Sequence, residues 1–167
     1  MSSDGATPSQ TVGPFFGVGM PFPGGAQCAD PEAHGSLRIE GQLLDGKGEP
    51  VPDGLLEMWE GEQFARCRTD AEGAFAFTMK RPEARTGPAG PVAPHFEVLV
   101  FARGLLRQLW TRLYLPDEQE RNAQDPVLAR VEPGRQATLI ARRDGAALHF
   151  DVKLQGADET VFFELPA

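Results

Sequence analysis

Seven residues, Phe96-Glu97-Val98-Leu99-Val100-Phe101-Ala102, constrain the fold more than any other stretch. Six of the seven are apolar, and the run is rich in branched and aromatic side chains. It is too short for a buried helix, and it reads as a strand covered by protein on both faces. His95 and Glu97 stand at its start, and Arg103-Gly104 at its end. Polar groups at the rims of a dry strand can reach a cavity, so the stretch is both the expected centre of the core and the first place to look for chemistry.

The neighbouring segments have the periodicity of further strands. Leu37, Ile39 and Leu43 alternate with Arg38, Glu40 and Gln42, and Phe75, Phe77 and Met79 alternate with Ala74, Ala76 and Thr78. Such alternation marks half-buried strands. Residues 55–59, 64–69, 105–115, 138–142 and 148–154 are also read as strands. Residues 160–163 form a short edge strand or strap. Asp45-Gly46-Lys47-Gly48, Asp70-Ala71-Glu72-Gly73 and Asp144-Gly145 are turns. The prolines and glycines of residues 81–91 predict a loop. Pro116 to Ala123, with a proline in the first turn and acids near the N-terminus, predicts one short helix. The economical architecture is an all-β, immunoglobulin-like sandwich of about eight or nine strands.

Residues 1–35 precede this body as an irregular arm, and residues 36–167 form the sandwich. Phe15, Phe16 and Phe22 of the arm would be a liability in water unless they pack on something. Two packings are open: on the arm's own domain, or on a partner chain.

Charge narrows the function. The net charge of −8 argues against nucleic acid, whose binding is dominated by a basic footprint, and against an anionic membrane surface. No apolar run approaches the roughly 18 residues that cross a bilayer. Residues 1–10 lack the basic and apolar regions of a secretion signal. Cys28 and Cys67, far apart and without paired spacing, read as reduced thiols of a cytoplasmic protein.

The chemistry-bearing residues are few. His34 lies in a loop, and His149 is on the polar face of an alternating strand. His95 and Glu97, at i and i+2 of a strand, share a face. They could present two metal ligands together, or be a structural pair at a strand end. Arg103 before Gly104 suits an anionic substrate or a carboxylate partner. Tyr114 is the only tyrosine, so chemistry requiring two phenolates is excluded from this chain. No nucleophile elbow or phosphate loop is present. A small-ligand binding module and an independent metal enzyme using His95 and Glu97 are both open on these residues alone.

Longer motifs resemble a known family. Thr7-Pro8-Ser9-Gln10-Thr11-Val12-Gly13-Pro14-Phe15 resembles the N-terminal arm of the intradiol ring-cleaving dioxygenases, whose sandwich is of the transthyretin-like kind. Residues 41–53 with Leu56-Glu57-Met58-Trp59 resemble their core strand pair, and Ala93-Pro94-His95 their histidine segment. Phe101-Ala102-Arg103-Gly104-Leu105, Thr111-Arg112-Leu113-Tyr114 and Glu159-Thr160-Val161-Phe162-Phe163 resemble one branch, the non-iron alpha subunits. The likeness runs from Thr7 to Leu165. Iron-bearing chains of the family hold ferric iron through two tyrosines and two histidines. Here residues 60–66 and 80–84, where the tyrosines would fall, contain none, and Glu97 stands in place of the second histidine.

The resemblance therefore implies a chain with a vestigial metal site at His95 and Glu97 and no metal or catalytic residues of its own. It implies a hetero-oligomer in which a beta subunit holds Fe(III), and in which O2 cleaves 3,4-dihydroxybenzoate between its hydroxyl carbons to 3-carboxy-cis,cis-muconate, a step of aromatic catabolism. The arm would pack on that beta subunit. Thr11, Gly13, Pro14 and Arg103 would border the substrate pocket, and Phe15 would lack the hydroxyl that the family often has there.

Overall fold

The computed structural model describes residues 10, 11 and 13–164, with Pro14 described by its backbone alone. Part of the expected arm, residues 1–9 and Val12, lies outside the described residues. Eleven strands build two facing sheets and a small hairpin: β1 Ser36–Leu44, β2 Leu55–Glu60, β3 Gln63–Arg68, β4 Ala74–Lys80, β5 Arg85–Gly87, β6 Gly90–Val92, β7 His95–Phe101, β8 Leu109–Tyr114, β9 Arg142–Asp144, β10 Ala147–His149 and β11 Val152–Lys153. In one sheet β1 pairs antiparallel with β4 on one edge, and parallel with β10 and β11 on the other, with β9 outside β10. The second sheet has the order β3-β2-β7-β8. Ile39, Leu43, Phe77 and Met79 of the first sheet meet Leu56, Met58, Phe96 and Val98 of the second in one apolar core. This is the β-sandwich that the alternation implies.

The strand buried on both faces is β2, not β7. Leu55, Leu56, Glu57 and Met58 are all buried. In β7, Phe96, Val98 and Val100 are buried, while Glu97, Leu99 and Phe101 between them are half-exposed. The run at 96–102 is apolar on both faces because its outer face is covered from outside the sandwich. Phe16 sets its ring 6.2 Å from Phe101, and Phe163 lies 5.5 Å from Trp110 of the adjoining β8.

Three other segments differ from expectation for local reasons. Of the strand expected at 138–142, only Arg142 lies in one, as the first residue of β9. Thr138 donates its hydroxyl to the Arg135 carbonyl at 2.8 Å, and this local bond tightens Gln136–Leu139 into a 3-10 turn. The loop at 81–91 contains the β5–β6 hairpin, with Pro91 in a short outer strand where its missing N–H costs nothing. Residues 148–154 break into β10 and β11 because Asp151 Oδ1, rather than a backbone carbonyl, accepts the Gln42 N–H at 3.0 Å. Besides the expected short helix, seen as α2 Gln119–Asn122, the arm contains a single turn, α1 Phe16–Gly19. Among the described residues no helix is long and apolar enough to cross a membrane.

The break between β10 and β11 depends on Gly41. A Cβ there would lie 1.9 Å from the Phe150 carbonyl oxygen, so the parallel edge closes only on a residue without a side chain. Gly41→Ala is expected to lower stability by about 1–3 kcal/mol through overpacking, read as the midpoint of urea unfolding. Gly134→Ala, where a Cβ meets nothing within 4 Å, is the control and should leave the midpoint close to that of the native chain.

Candidate functional site

The outer face of the second sheet carries the polar residues that the core cannot take. β7 places His95 and Glu97 there, and β8 places Trp110 and Arg112 beside them, with Glu97 directly across from Arg112. Glu97 Oε1 forms an ion pair with an Arg112 guanidinium nitrogen 2.9 Å away and lies 3.1 Å from His95 Nε2. Its other oxygen accepts from the Trp110 indole. His95, 2% exposed, also sets Nδ1 2.7 Å from the Ala93 carbonyl. Arg112 reaches on to the Tyr114 hydroxyl at 3.3 Å, and that hydroxyl donates to Asp125 Oδ1 at 3.2 Å. Asp125 is fully buried and also accepts the N–H groups of Ala93, Val127 and Leu128.

Each carboxylate of this network, Glu97 and Asp125, thus has partners. Burial opposes the charge on Glu97, but His95, Arg112 and Trp110 outweigh it and hold the carboxyl below its ordinary range. Burial pushes the Tyr114 phenol far up, and Asp125 adds to this against the pull of Arg112, so the ring is a neutral hydrogen-bond donor rather than a phenolate.

Such residues do not fit a ferric ion. Both ring nitrogens of His95 face oxygens, Glu97 is neutralised by Arg112, and Tyr114 is committed to Asp125. Among the described residues no three His, Cys, Asp or Glu side chains converge as a metal site needs. His149 is likewise paired, 2.9 Å from Asp151, and His34 is exposed.

The expected substrate-side residues lie at the other end of β7. Arg103 is 62% exposed, with Nε 3.1 Å from Asp53 Oδ2. Gly104 follows at φ +92°, the left-handed conformation that frees the chain to turn. Thr11 accepts the Gly13 N–H at 3.2 Å, and Gly13 stands at φ +64°. The side chain of Pro14 lies outside the described residues. Among the described residues no hydrogen bond or ion pair joins Arg103 to Thr11 or Gly13. The link is Asp53, whose backbone carbonyl faces Gly17 of α1. Between α1 and the turn that holds Arg103 lies a cavity of about 230 Å³, lined by Gln10, Phe16, Met20, Phe101, Ala102 and Leu105 among others.

The arm reaches this place by folding onto its own sheet. Arg66 of β3 donates twice to Glu57 of β2, at 2.9 and 2.5 Å, and once to the Met20 carbonyl at 2.8 Å. Glu57 is 5% exposed. Phe22 and Phe64 stack on each other with centroids 6.3 Å apart, and the Arg66 guanidinium lies 5.8 and 5.1 Å from their ring centres. Sequence reasoning missed Glu57, Arg66, Asp53, Arg112 and Asp125. The signal for Glu57–Arg66 was present: a two-residue connection, Gly61-Glu62, fixes the β2–β3 register and sets the two opposite each other.

Glu97 gives a pH-dependent prediction. Its folded pKa is depressed, so the stability that it contributes is present at neutral pH and is lost as pH falls below the ordinary carboxyl value of 4.5. Glu97→Gln is expected to lower stability at pH 7 by about 2 kcal/mol, the scale of hydrogen bonds to a charged group, and to flatten the acid limb. Urea unfolding at pH 7 and pH 4 checks both; equal midpoints for native and variant chains at pH 7 would show that the pair contributes nothing.

Comparison with known proteins places the chain. No family model matches it. It is 36% identical to the protocatechuate 3,4-dioxygenase alpha chain of Pseudomonas putida, across 95% of this chain and 96% of that one. It is 27% identical to the protocatechuate 3,4-dioxygenase beta chain of Burkholderia cepacia, across 73% of this chain and 65% of that one. In fold it is similar to the dioxygenase domain of a dioxygenase carbohydrate-binding protein fusion from Streptomyces sp. SirexAA-E, at a TM-score of 0.61 and 23% identity, covering 79% of this chain and 88% of that one. The sheet order, the arm and the near-complete span of the first of these likenesses lead to one assignment: the chain belongs to the alpha-chain family of protocatechuate 3,4-dioxygenases, within the intradiol ring-cleaving dioxygenases.

Proposed function

We propose that this chain is the non-iron alpha subunit of a protocatechuate 3,4-dioxygenase. The observation that carries the proposal is its likeness to an alpha chain along almost its whole length, joined to a site that arginine, not metal, neutralises. On this reading a beta subunit holds Fe(III), and the alpha–beta protomers assemble further. Ferric iron held by that partner would supply the activation of a catechol toward O2. Both oxygen atoms of O2 enter the product, and the bond between the two hydroxyl-bearing carbons of 3,4-dihydroxybenzoate is cleaved to give 3-carboxy-cis,cis-muconate.

The part of this chain in that reaction is to shape and charge one wall. Thr11, Gly13 and Pro14 bring the chain close to the substrate, with Gly13 at the positive φ of +64° that glycine adopts without strain and Pro14 fixing its own φ. Arg103 supplies positive potential toward the substrate carboxylate, and Asp53 holds its guanidinium in place. The outward side of the arm suits the beta subunit: Phe15 and Val18 are 71% and 75% exposed while Phe16 and Gly17 beside them are buried. Two free thiols, Cys28 and Cys67, fit a reducing, cytoplasmic setting.

Co-expression with the beta chain tests the whole reading. The pair should co-purify, and the complex should contain ferric iron with its tyrosinate colour. The alpha chain alone should bind none. An active, coloured preparation of this chain alone would overturn the proposal. In the complex, Arg103→Ala should raise KM for protocatechuate by about 3- to 10-fold, the scale of one exposed charge contact, and unchanged kinetics would remove Arg103 from the site.

A further inference from the structure

We propose that Arg66 is a positioning residue for the reaction: it latches the arm to the sheet and so fixes the turn that borders the substrate. The inference rests on the reading that Thr11, Gly13 and Pro14 lie at the substrate pocket.

The geometry assigns Arg66 three separate holds on the arm. Its backbone N–H donates to the Gly25 carbonyl at 2.7 Å. Its guanidinium donates to the Met20 carbonyl at 2.8 Å. Its guanidinium carbon lies over the Phe22 ring, 5.8 Å from the centroid. Met20 in turn donates its N–H to the Phe16 carbonyl, closing the one-turn helix α1. The chain of contacts therefore runs from Arg66 through Met20 to Phe16, and thence to the Gly13–Phe15 turn that precedes it.

The arginine itself is not free to move. Two of its nitrogens are bound to Glu57, a nearly buried carboxylate directly across the β2–β3 pair. A planar guanidinium can hold a carboxylate with one edge and a carbonyl with another; an ammonium cannot span both at fixed angles. Glu57 thus aims Arg66, and Arg66 holds Met20. Phe16, packed on Phe101, and Gly17, against the Asp53 carbonyl, complete the seat. Of these anchors only Arg66 is a charged group with a donor reserved for the arm backbone. Its loss should leave the sandwich intact and the arm loose.

Complexes of the beta chain with Arg66→Lys and with the double variant Arg66→Met, Glu57→Gln test this. The double variant removes both charges together, leaving no buried carboxylate unpaired. Two readouts are taken on each complex: amide hydrogen exchange over residues 13–25, and KM and kcat for protocatechuate and for catechol. The expected result for the double variant is faster exchange confined to residues 13–25, with KM for protocatechuate raised about 3- to 10-fold, in line with the steep dependence of rate on substrate placement. Arg66→Lys should fall between this and the native complex. Unchanged exchange over residues 13–25 would overturn the latch. Faster exchange with unchanged kinetics would overturn the positioning role through its premise, by showing that the arm does not border the substrate. The two failures are told apart by the exchange data alone.

Discussion

The outer face of the β3-β2-β7-β8 sheet depends on the pair between Glu97 and Arg112. A carboxylate and a guanidinium that are both largely removed from water are favourable only if their geometry is good and their remaining hydrogen-bonding groups are met. Here Glu97 has Arg112, His95 and Trp110 around its two oxygens. Arg112 also donates to the Tyr114 hydroxyl, which is itself oriented by Asp125, and among the described residues only its buried Nε is left without a partner in this network. Five segments meet in this chain: the turn at Ala93, β7, β8, the turn at 125–128 and, through Trp110 and Phe163, the C-terminal strap. Phe163 donates its N–H to the Trp110 carbonyl at 2.7 Å, and Thr111 donates its hydroxyl to the Val161 carbonyl at 2.7 Å. Removing one member leaves another unpaired in a dry place, which is why the network is held as a unit.

The apolar side of the molecule is simpler. Alternating side chains from two sheets interdigitate, and the information needed is local. That is why most strands were legible as alternation: Ile39 and Leu43, Phe75 and Phe77, and Val98 and Val100 all turn inward as their spacing requires. The run at 96–102 misled in one respect. Apolar residues on both faces of a strand say that both are covered, but not by what. In β7 the outer face is partly covered at Phe101 by Phe16 of the arm, and the adjoining β8 by Phe163 of the strap, elements distant in sequence. In β2 the buried carboxylate of Glu57 concealed the doubly covered strand, since an acidic residue in a short strand reads as solvent-facing until its partner is known.

The site was legible in part. His95 and Glu97 stand on one strand two residues apart, and they do touch. Spacing could not supply Arg112, because a cross-strand partner is set by the β7–β8 register, and that register follows from a loop, residues 102–108, without a turn signature of fixed length. Asp125 was illegible for the same reason: its four bonds go to Ala93, Tyr114, Val127 and Leu128, two of them more than ten residues away. The failed strand at 138–142 shows a third kind of limit, since one threonine hydroxyl bonding back to Arg135 was enough to turn a stretch of strand-forming residues into a 3-10 turn.

Two acid–arginine pairs now occupy the same sheet face, Glu57–Arg66 across β2 and β3 and Glu97–Arg112 across β7 and β8. They differ in where the arginine's further donor goes, and this decides what each half of the face can do. The further donor of Arg112 meets Tyr114, inside its own strand pair, so that half of the face is closed on itself: its charges cancel, its histidine nitrogens are engaged, and a cation entering would have to displace a guanidinium that stays charged at any accessible pH. The further donor of Arg66 meets the Met20 carbonyl, outside the sheet, so that half is open to the arm and is completed by it. A face that gives up metal chemistry at one pair retains, through the other, a means of presenting a shaped edge to whatever packs beside it.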